Sequence, residues 1–423
     1  MINGISFLRK RRFPLSRNKF KTDLIFSPIL IGPCFLVVIS SLLIKSIQNN
    51  SESSDFLSHL LTGFVGYFLA LIISYIPLER LKNYVFPLYF LSILSLILLI
   101  FFGITIYGAQ RWLNLGLFTF QPSEVAKLST LLAIALVLEK KKINSLKDLI
   151  EPTIIVSIPW ILIFFQPDLG TSLVLIFLFF LMLYWSRMPI EWILIIVLTL
   201  FTSLFSFIFP LILFLWIPLM GFLAYKSLKK RIVFSALTVS FHTIIAKITP
   251  FLWNFGLKDY QKDRLILFLD PSRDPLGGGY HLLQSKIAIG SGGMFGSGLL
   301  KGKLTNLHFI PEQHTDFIFS ALGEETGFVG SLFVVFIFFI LISQLIRIAK
   351  KARTDFESLV VIGIVSIFLF QIIINIYMTI GLGPVTGIPL PFMSYGRTSL
   401  LINFTFIGLA LSTLKRIRSL KKL

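Results

Sequence analysis

The sequence predicts an all-α polytopic membrane protein, a bundle of about twelve spanning segments with one large loop on a single face. Three observations predict it. Hydrophobic residues make up 55% of the 423, with 45 Phe and a mean hydropathy of +0.86, outside the range of soluble domains this size. Apolar runs of spanning length, or slightly short of it, recur from end to end. Most of the 39 Lys and Arg fall in alternate connecting segments, the pattern the positive-inside rule requires.

The chain begins with a basic tail, residues 1–23, carrying Arg9, Lys10, Arg11, Arg12, Arg17, Lys19 and Lys21. The first apolar run, 26–45, follows it without a small-residue cleavage site, so it reads as a retained anchor. It contains the only cysteine, Cys34, which excludes a disulfide within the chain and leaves packing as its role. Further runs cover 57–77, 84–107, 121–138, 153–166 and 169–185. Between 189 and 250 the apolar stretch is broken by Pro210, Pro218 and the basic turn Tyr225–Arg231. Three spans there, 190–208, 210–225 and 232–250, keep the basic turn inside and the next loop outside. Runs at 316–346, 358–380 and 396–414 complete twelve, and 415–423 forms a second basic tail.

With the N-terminus in the cytoplasm, the clusters near Arg80, Lys140, Arg187, Lys229 and Lys350 are also inside, and so is the C-terminus. The net charge of +19 thus fixes topology and meets anionic lipid heads, which argues against a nucleic-acid partner. The same count places three motif-rich stretches together on the outer face: 107–123, the large loop 251–315, and 381–395. A loop this long, rich in Gly, Asp and Lys between two spans, is expected to fold and to work.

In the first stretch, Gly108–Gly116 carries Arg111 and Trp112 and leads to Gln121-Pro122-Ser123-Glu124-Val-Ala-Lys127. Pro122 and Glu124 suit the first turn of a helix, which is the plain reading. The functional one gives Arg111 a phosphate, Trp112 an amphiphile, and Glu124 with Lys127 a polar seam on one helix face. Asp168 in Gln166-Pro-Asp-Leu-Gly-Thr171 fits turn chemistry and carries little weight as a site residue. The glycines of 277–298, interspersed with His281 and Lys286, can expose N–H groups to an anion, although irregular loops use the same residues. No P-loop pattern and no paired-His zinc motif occurs.

The segment Pro311-Glu-Gln-His314-Thr-Asp316 opens an apolar run to about Arg347, expected as one helix of about 45 Å that exceeds the hydrocarbon thickness. Helical spacing aligns Asp316 with Ser320, Gly323 and Gly327, a small-residue face open to a ligand or another helix. His314, Thr315 and Asp316 could equally only cap the helix. Glu324 and Glu325 lie deeper, and at least one is expected to be paired. The Pro- and Gly-rich stretch from Gly381 to Ser399, containing Ser394 and Arg397, must be buried or line a wet cavity.

Taken in order, GAQRWL, QPSEVAK, QPDLGTS, DPLGGGYHLLQSKIAIGSGG, PEQHTDFIFSALGEE and GIPLPFMSYG resemble the SEDS family (shape, elongation, division and sporulation) over 24–414. The Glu-Gln-His-Thr-Asp form of the central motif is most similar to the family's elongation branch. The resemblance implies a single transmembrane domain and a glycosyltransferase that polymerises lipid II on the outer side of the bacterial inner membrane. It also implies a class B penicillin-binding protein as partner. Carried over residue by residue, it gives Asp316 as the catalytic group, either the base toward the acceptor hydroxyl or a ligand to Mg²⁺ or Mn²⁺. It also carries over Trp112 and Glu124; with the polar groups of the motifs, the substrate-binding candidates are Arg111, Trp112, Gln121, Ser123, Glu124, Lys127, Asp168, Lys286, His314, Glu325 and Ser394. Two departures stand out: the family usually has ten spans, placing a surplus pair within 189–250, and its Ser-Tyr-Gly-Gly-Ser is here Ser394-Tyr-Gly-Arg397-Thr. A lipid II flippase, or a scaffold that only recruits the cross-linking partner, are the rival classes. A transport path should carry charge near the midplane and on both sides, and a scaffold has no use for the outer polar set.

Overall fold

A computed structural model describes residues 27–48, 55–106, 109–114, 116, 119–141, 143, 146–228, 231–256, 259–270, 274, 278–307 and 313–420. The N-terminal tail, and Pro311 with Glu312 of the central motif, lie outside the described residues.

The first half holds α1 (Pro28–Ile47), α2 (Asp55–Ser74), α3 (Val85–Phe102), α4 (Pro122–Lys140), α5 (Ile150–Phe165) and α6 (Leu169–Trp185). Next come α7 (Ile190–Val197), α8 (Thr199–Ile208), α9 (Leu213–Ser227) and α10 (Arg231–Phe251). The large loop contributes α11 (Asp259–Leu269), α12 (Gly278–Ser291) and α13 (Lys303–Asn306). The chain then closes with α14 (Ile318–Lys351), α15 (Asp355–Thr379) and α16 (Arg397–Leu420).

Ten described helical segments are long and apolar enough to cross a membrane. The two remaining sequence-predicted runs are also helical. At 17 residues α6 is shorter, and α4 carries Glu124, Lys127, Glu139 and Lys140. Such charge is tolerated in α4 because every residue from Pro122 to Leu138 except Val125 is buried in protein. The protein is therefore a multi-pass helical membrane protein, with α4 and α15 at its centre and α3, α6, α14 and α16 packed around them.

The stretch after Pro189 forms a peripheral group. In α15, 72% of the most apolar window is buried, against 11% for Arg231–Gly256, so the latter leaves its apolar surface to lipid. Helices α8, α9 and α10 pack on one another and are tied by a buried knot, in which Trp216 Nε1 donates to Thr202 Oγ1 at 3.0 Å and Thr202 Oγ1 lies 2.6 Å from His242 Nδ1. Their packing to the bundle runs through the α6–α7 contact.

Two local features depart from sequence expectation. Strands β1 (Ile104–Ile106), β2 (Ala109–Asn114) and β3 (Thr119–Phe120) form a small antiparallel sheet in the order β1-β2-β3, which pairs Ile104 with Trp112 and Leu113 with Phe120. The expected single helix from Asp316 also needs correction, since α14 begins at Ile318 and is broken at Gly327 (φ 67°, ψ −163°). The reason is the loop after α12. Its backbone enters the break, so that Phe328 N donates to Gly293 O (2.9 Å) and Val329 N to Met294 O (3.1 Å), while Ser297 N donates to Glu324 O (2.9 Å) and Gly298 N to Glu325 O (3.0 Å). Non-helical backbone at this depth is stable only when protein supplies such partners. The small-residue face is thus filled by loop backbone, and a Cβ on Gly292 would meet the Gly323 carbonyl.

Candidate active site

A cavity of about 750 Å³ opens at the end of the bundle where α4, α6 and α14 begin and α15 ends. Seven of the sequence-predicted site residues line it: Arg111, Trp112, Gln121, Glu124, Lys127, Asp168 and Asp316.

Strand β2 brings Arg111 and Trp112 to the wall. One Arg111 nitrogen, Nη2, donates to the Pro167 carbonyl, and Nη1 lies 3.9 Å from Asp168 Oδ1. The fork expected to grip a phosphate is therefore engaged with the start of α6. Asp168 is the N-cap of that helix, accepting from Thr171 N at 3.2 Å and Thr171 Oγ1 at 2.8 Å, as turn chemistry anticipated.

Gln121 is the N-cap of α4 with Pro122 at the first helical position, but it makes no side-chain cap bond. One turn further, Glu124 and Lys127 meet at 2.8 Å with 3% and 1% of their side chains exposed. Glu124 Oε2 is buried and has no hydrogen-bond partner. A buried ion pair with one carboxylate oxygen unused, facing a cavity, suits a ligand more than it suits helix stability.

Asp316 stands in the turn before α14, whose N-cap is Phe317. Its backbone is pinned from α15: Asn375 Nδ2 donates to Asp316 O at 2.9 Å and to Ile388 O at 2.8 Å. This joins the Asp316 turn to the Pro- and Gly-rich segment. Opposite the carboxylate lies Gly387 (φ +70°), where an added Cβ would stand 3.3 Å from Asp316 Oδ2 and 3.6 Å from Arg264 Nη1. Arg264 reaches this point from α11 and donates to Thr386 O at 3.1 Å.

The other five sequence-predicted residues lie outside the lining. Ser123 is buried and its hydroxyl has no partner. Lys286 is exposed beside Gly381. His314 packs its ring on Tyr395 at 5.7 Å, which does line the cavity. Ser394 accepts from Leu390 N at 2.8 Å within its own turn. Glu325 accepts from the Ser46 hydroxyl and from Leu300 N (3.1 Å), holding the large loop. Its neighbour Glu324 does the same, accepting from Leu304 N (2.8 Å), Thr305 N (2.9 Å) and Thr305 Oγ1 (2.6 Å). Both buried carboxylates are satisfied by uncharged donors, from the loop and from Ser46 of α1, instead of the basic group expected for one of them.

Sequence reading missed Arg264, which sits in no recognisable motif, and Gln371, which lines the cavity with Oε1 buried and unpartnered. An amide inside a mostly apolar span, one turn from that of Asn375, was the available signal for the second.

The profile of the FtsW, RodA and SpoVE proteins, described as cell cycle protein, matches residues 22–232 and 210–419. The chain belongs to the SEDS family. Among SEDS relatives, the peptidoglycan glycosyltransferase MrdB of Escherichia coli K12 is 35% identical over 349 residues, covering 82% of each chain. The peptidoglycan glycosyltransferase RodA of Treponema pallidum is 33% identical over 421 residues, covering 91% of this chain and 96% of its own. A solved chain described under structural coordination of polymerization and crosslinking by a peptidoglycan synthase complex superposes with a TM-score of 0.70 at 29% identity, covering 92% of this chain and 97% of its own. The rod shape determining protein RodA of Thermus thermophilus shares the fold, with a TM-score of 0.60 at 24% identity, covering 92% and 95%. The two matched stretches of the SEDS profile overlap at 210–232, inside the peripheral helices. Arg397, the departure from the SEDS pattern, lines the cavity and donates from Nε to Ser58 Oγ at 2.8 Å.

Proposed function

We propose that this SEDS protein is a peptidoglycan glycosyltransferase that polymerises lipid II into glycan strands for cell elongation, in the bacterial inner membrane with both termini cytoplasmic. The observation that carries the reading is the meeting of Asp316, the Glu124–Lys127 pair and Arg264 in one cavity at one end of the bundle. In the proposed reaction Asp316 takes the proton of the acceptor sugar's 4-hydroxyl. The freed oxygen attacks the anomeric carbon of the lipid-linked donor, and the bond to undecaprenyl pyrophosphate breaks with its electron pair leaving on the pyrophosphate. Attack from the opposite face inverts the carbon and gives the β-1,4 bond. Lys127, Arg264 and Arg397 supply positive charge toward the leaving pyrophosphate. The carboxylates that would hold Mg²⁺ or Mn²⁺ are Asp316 and the unpartnered Oε2 of Glu124, both of which line the cavity, with phosphate oxygens and water as the remaining ligands. Such a cation would offset pyrophosphate charge. A class B penicillin-binding protein that cross-links the product is the proposed partner, in keeping with the synthase complex whose chain this one resembles.

The test is polymerisation of labelled lipid II by purified protein with and without that partner, comparing wild type with Asp316→Ala. Strands made equally well by the variant would sink the assignment of Asp316. Lipid movement across the bilayer without strands from the wild type would support the flippase instead. Synthesis undiminished in excess chelator would remove the cation from the scheme.

A further inference from the structure

A second cavity, of about 720 Å³, lies at the opposite end of the bundle, where α4, α6 and α14 end and α15 begins. Its wall carries Arg187, Lys350 and Arg353, with Trp185 alongside and Leu138, Ile143 and Leu359 as its apolar floor. Among the described residues none of these three cations is ion-paired, and Arg353 Nη2 donates only to Ser419 Oγ at 3.4 Å, whereas Glu139 in the same wall is already held by Lys82 at 2.7 Å. Asp355, the other acidic group, sits in the first turn of α15, where the helix dipole favours it. Lysines at the end of α14 could simply complement that helix dipole. The nearby helix-end carbonyls, however, already have protein donors: Ser358 Oγ to Ala349 O (2.8 Å), Ser186 Oγ to Leu183 O (2.8 Å) and Arg187 N to Tyr184 O (3.2 Å). The heads of Arg187 and Lys350 are therefore spare, and that of Arg353 is held only by the Ser419 hydroxyl.

Backbone geometry gives a second, independent observation. Arg187 has φ 66° directly after α6, with Met188 N donating to Leu183 O at 3.2 Å, a helix stop at which glycine is the favoured residue. An arginine in the left-handed region is disfavoured, and a strained residue kept at a cavity points to a task for its side chain.

We infer that this cavity binds the phosphate of an anionic phospholipid headgroup, held by Arg187, Lys350 and Arg353 with Trp185 at its edge. The shared chemistry, a phosphate against guanidinium and ammonium groups, would also fit a soluble phosphate. Its place at the membrane-facing ends of spanning helices, beside an interfacial Trp, favours the lipid.

The full-length protein in nanodiscs, followed by native mass spectrometry of retained lipid, tests this. The wild type is expected to retain phosphatidylglycerol over phosphatidylcholine, undiminished by added inorganic phosphate. Arg187→Gly should lower that retention about fivefold, the loss of one cation near the surface, while melting at the same temperature or higher because glycine relieves the backbone. The pair Lys350→Gln and Arg353→Gln should lower it further. Unchanged retention in both variants would overturn the site. Binding of inorganic phosphate with no lipid preference would overturn the lipid assignment.

Discussion

Replacing Lys127 by Met removes half of an ion pair whose members lie 2.8 Å apart and are 1% and 3% exposed. Glu124 would be left as a buried carboxylate with no counter-charge, an imbalance worth about 3–5 kcal/mol against the fold. Removing both charges with Glu124→Leu and Lys127→Met takes away the attraction and both desolvation penalties together, so stability should return to within about 1–2 kcal/mol of wild type or exceed it. Activity should part company with stability. If the pair serves the leaving pyrophosphate, the well-folded double variant should still lose strand synthesis by about a hundredfold or more, the scale of a lost electrostatic group in a water-excluded site. Chemical denaturation in detergent reads the first quantity, and turnover of labelled lipid II reads the second. A double variant that polymerises at the wild-type rate would reduce the pair to scaffolding, and a harmless Lys127→Met would refute the burial argument itself.

Three other outcomes are expected. Gly387→Ala puts a methyl group 3.3 Å from Asp316 Oδ2 at a left-handed backbone position, so it should cost about 1–2 kcal/mol in stability and cut turnover more than substrate affinity, measured as separate kcat and KM. Asn375→Leu removes the donor shared by Asp316 O and Ile388 O, which should slow synthesis at least about tenfold by misplacing the carboxylate; wild-type rates would show that the turn holds itself. Glu324→Ala strands Leu304 N, Thr305 N and Thr305 Oγ1 at about 1–3 kcal/mol for each buried group left unsatisfied, and limited proteolysis should then cut within 292–307 faster than in wild type.

Much of the architecture was legible because a bilayer leaves so few solutions: runs such as 57–77 and 358–380 can only be helices, and they are. The first cavity was legible through residues costly to bury, since Glu124, Lys127 and Asp316 set charge at the edges of apolar runs, where helix-end chemistry was the competing reading. The rest depended on distant backbone. No local periodicity marks strands of three, six and two residues, and nothing near Gly327 says that Gly293 and Met294 will take over its neighbours' hydrogen bonds. That same docking turned Glu324 and Glu325 toward the loop and away from the cavity. Arg264 arrives on α11, a helix whose composition resembles any surface segment.

The broken turn at Gly327 also has a mechanical meaning. Since the helix there completes its bonding through the loop at 293–298, loosening the loop and melting that turn are one event. A force applied to the loop is thus delivered to α14 without a hinge between them, and the two move as one unit.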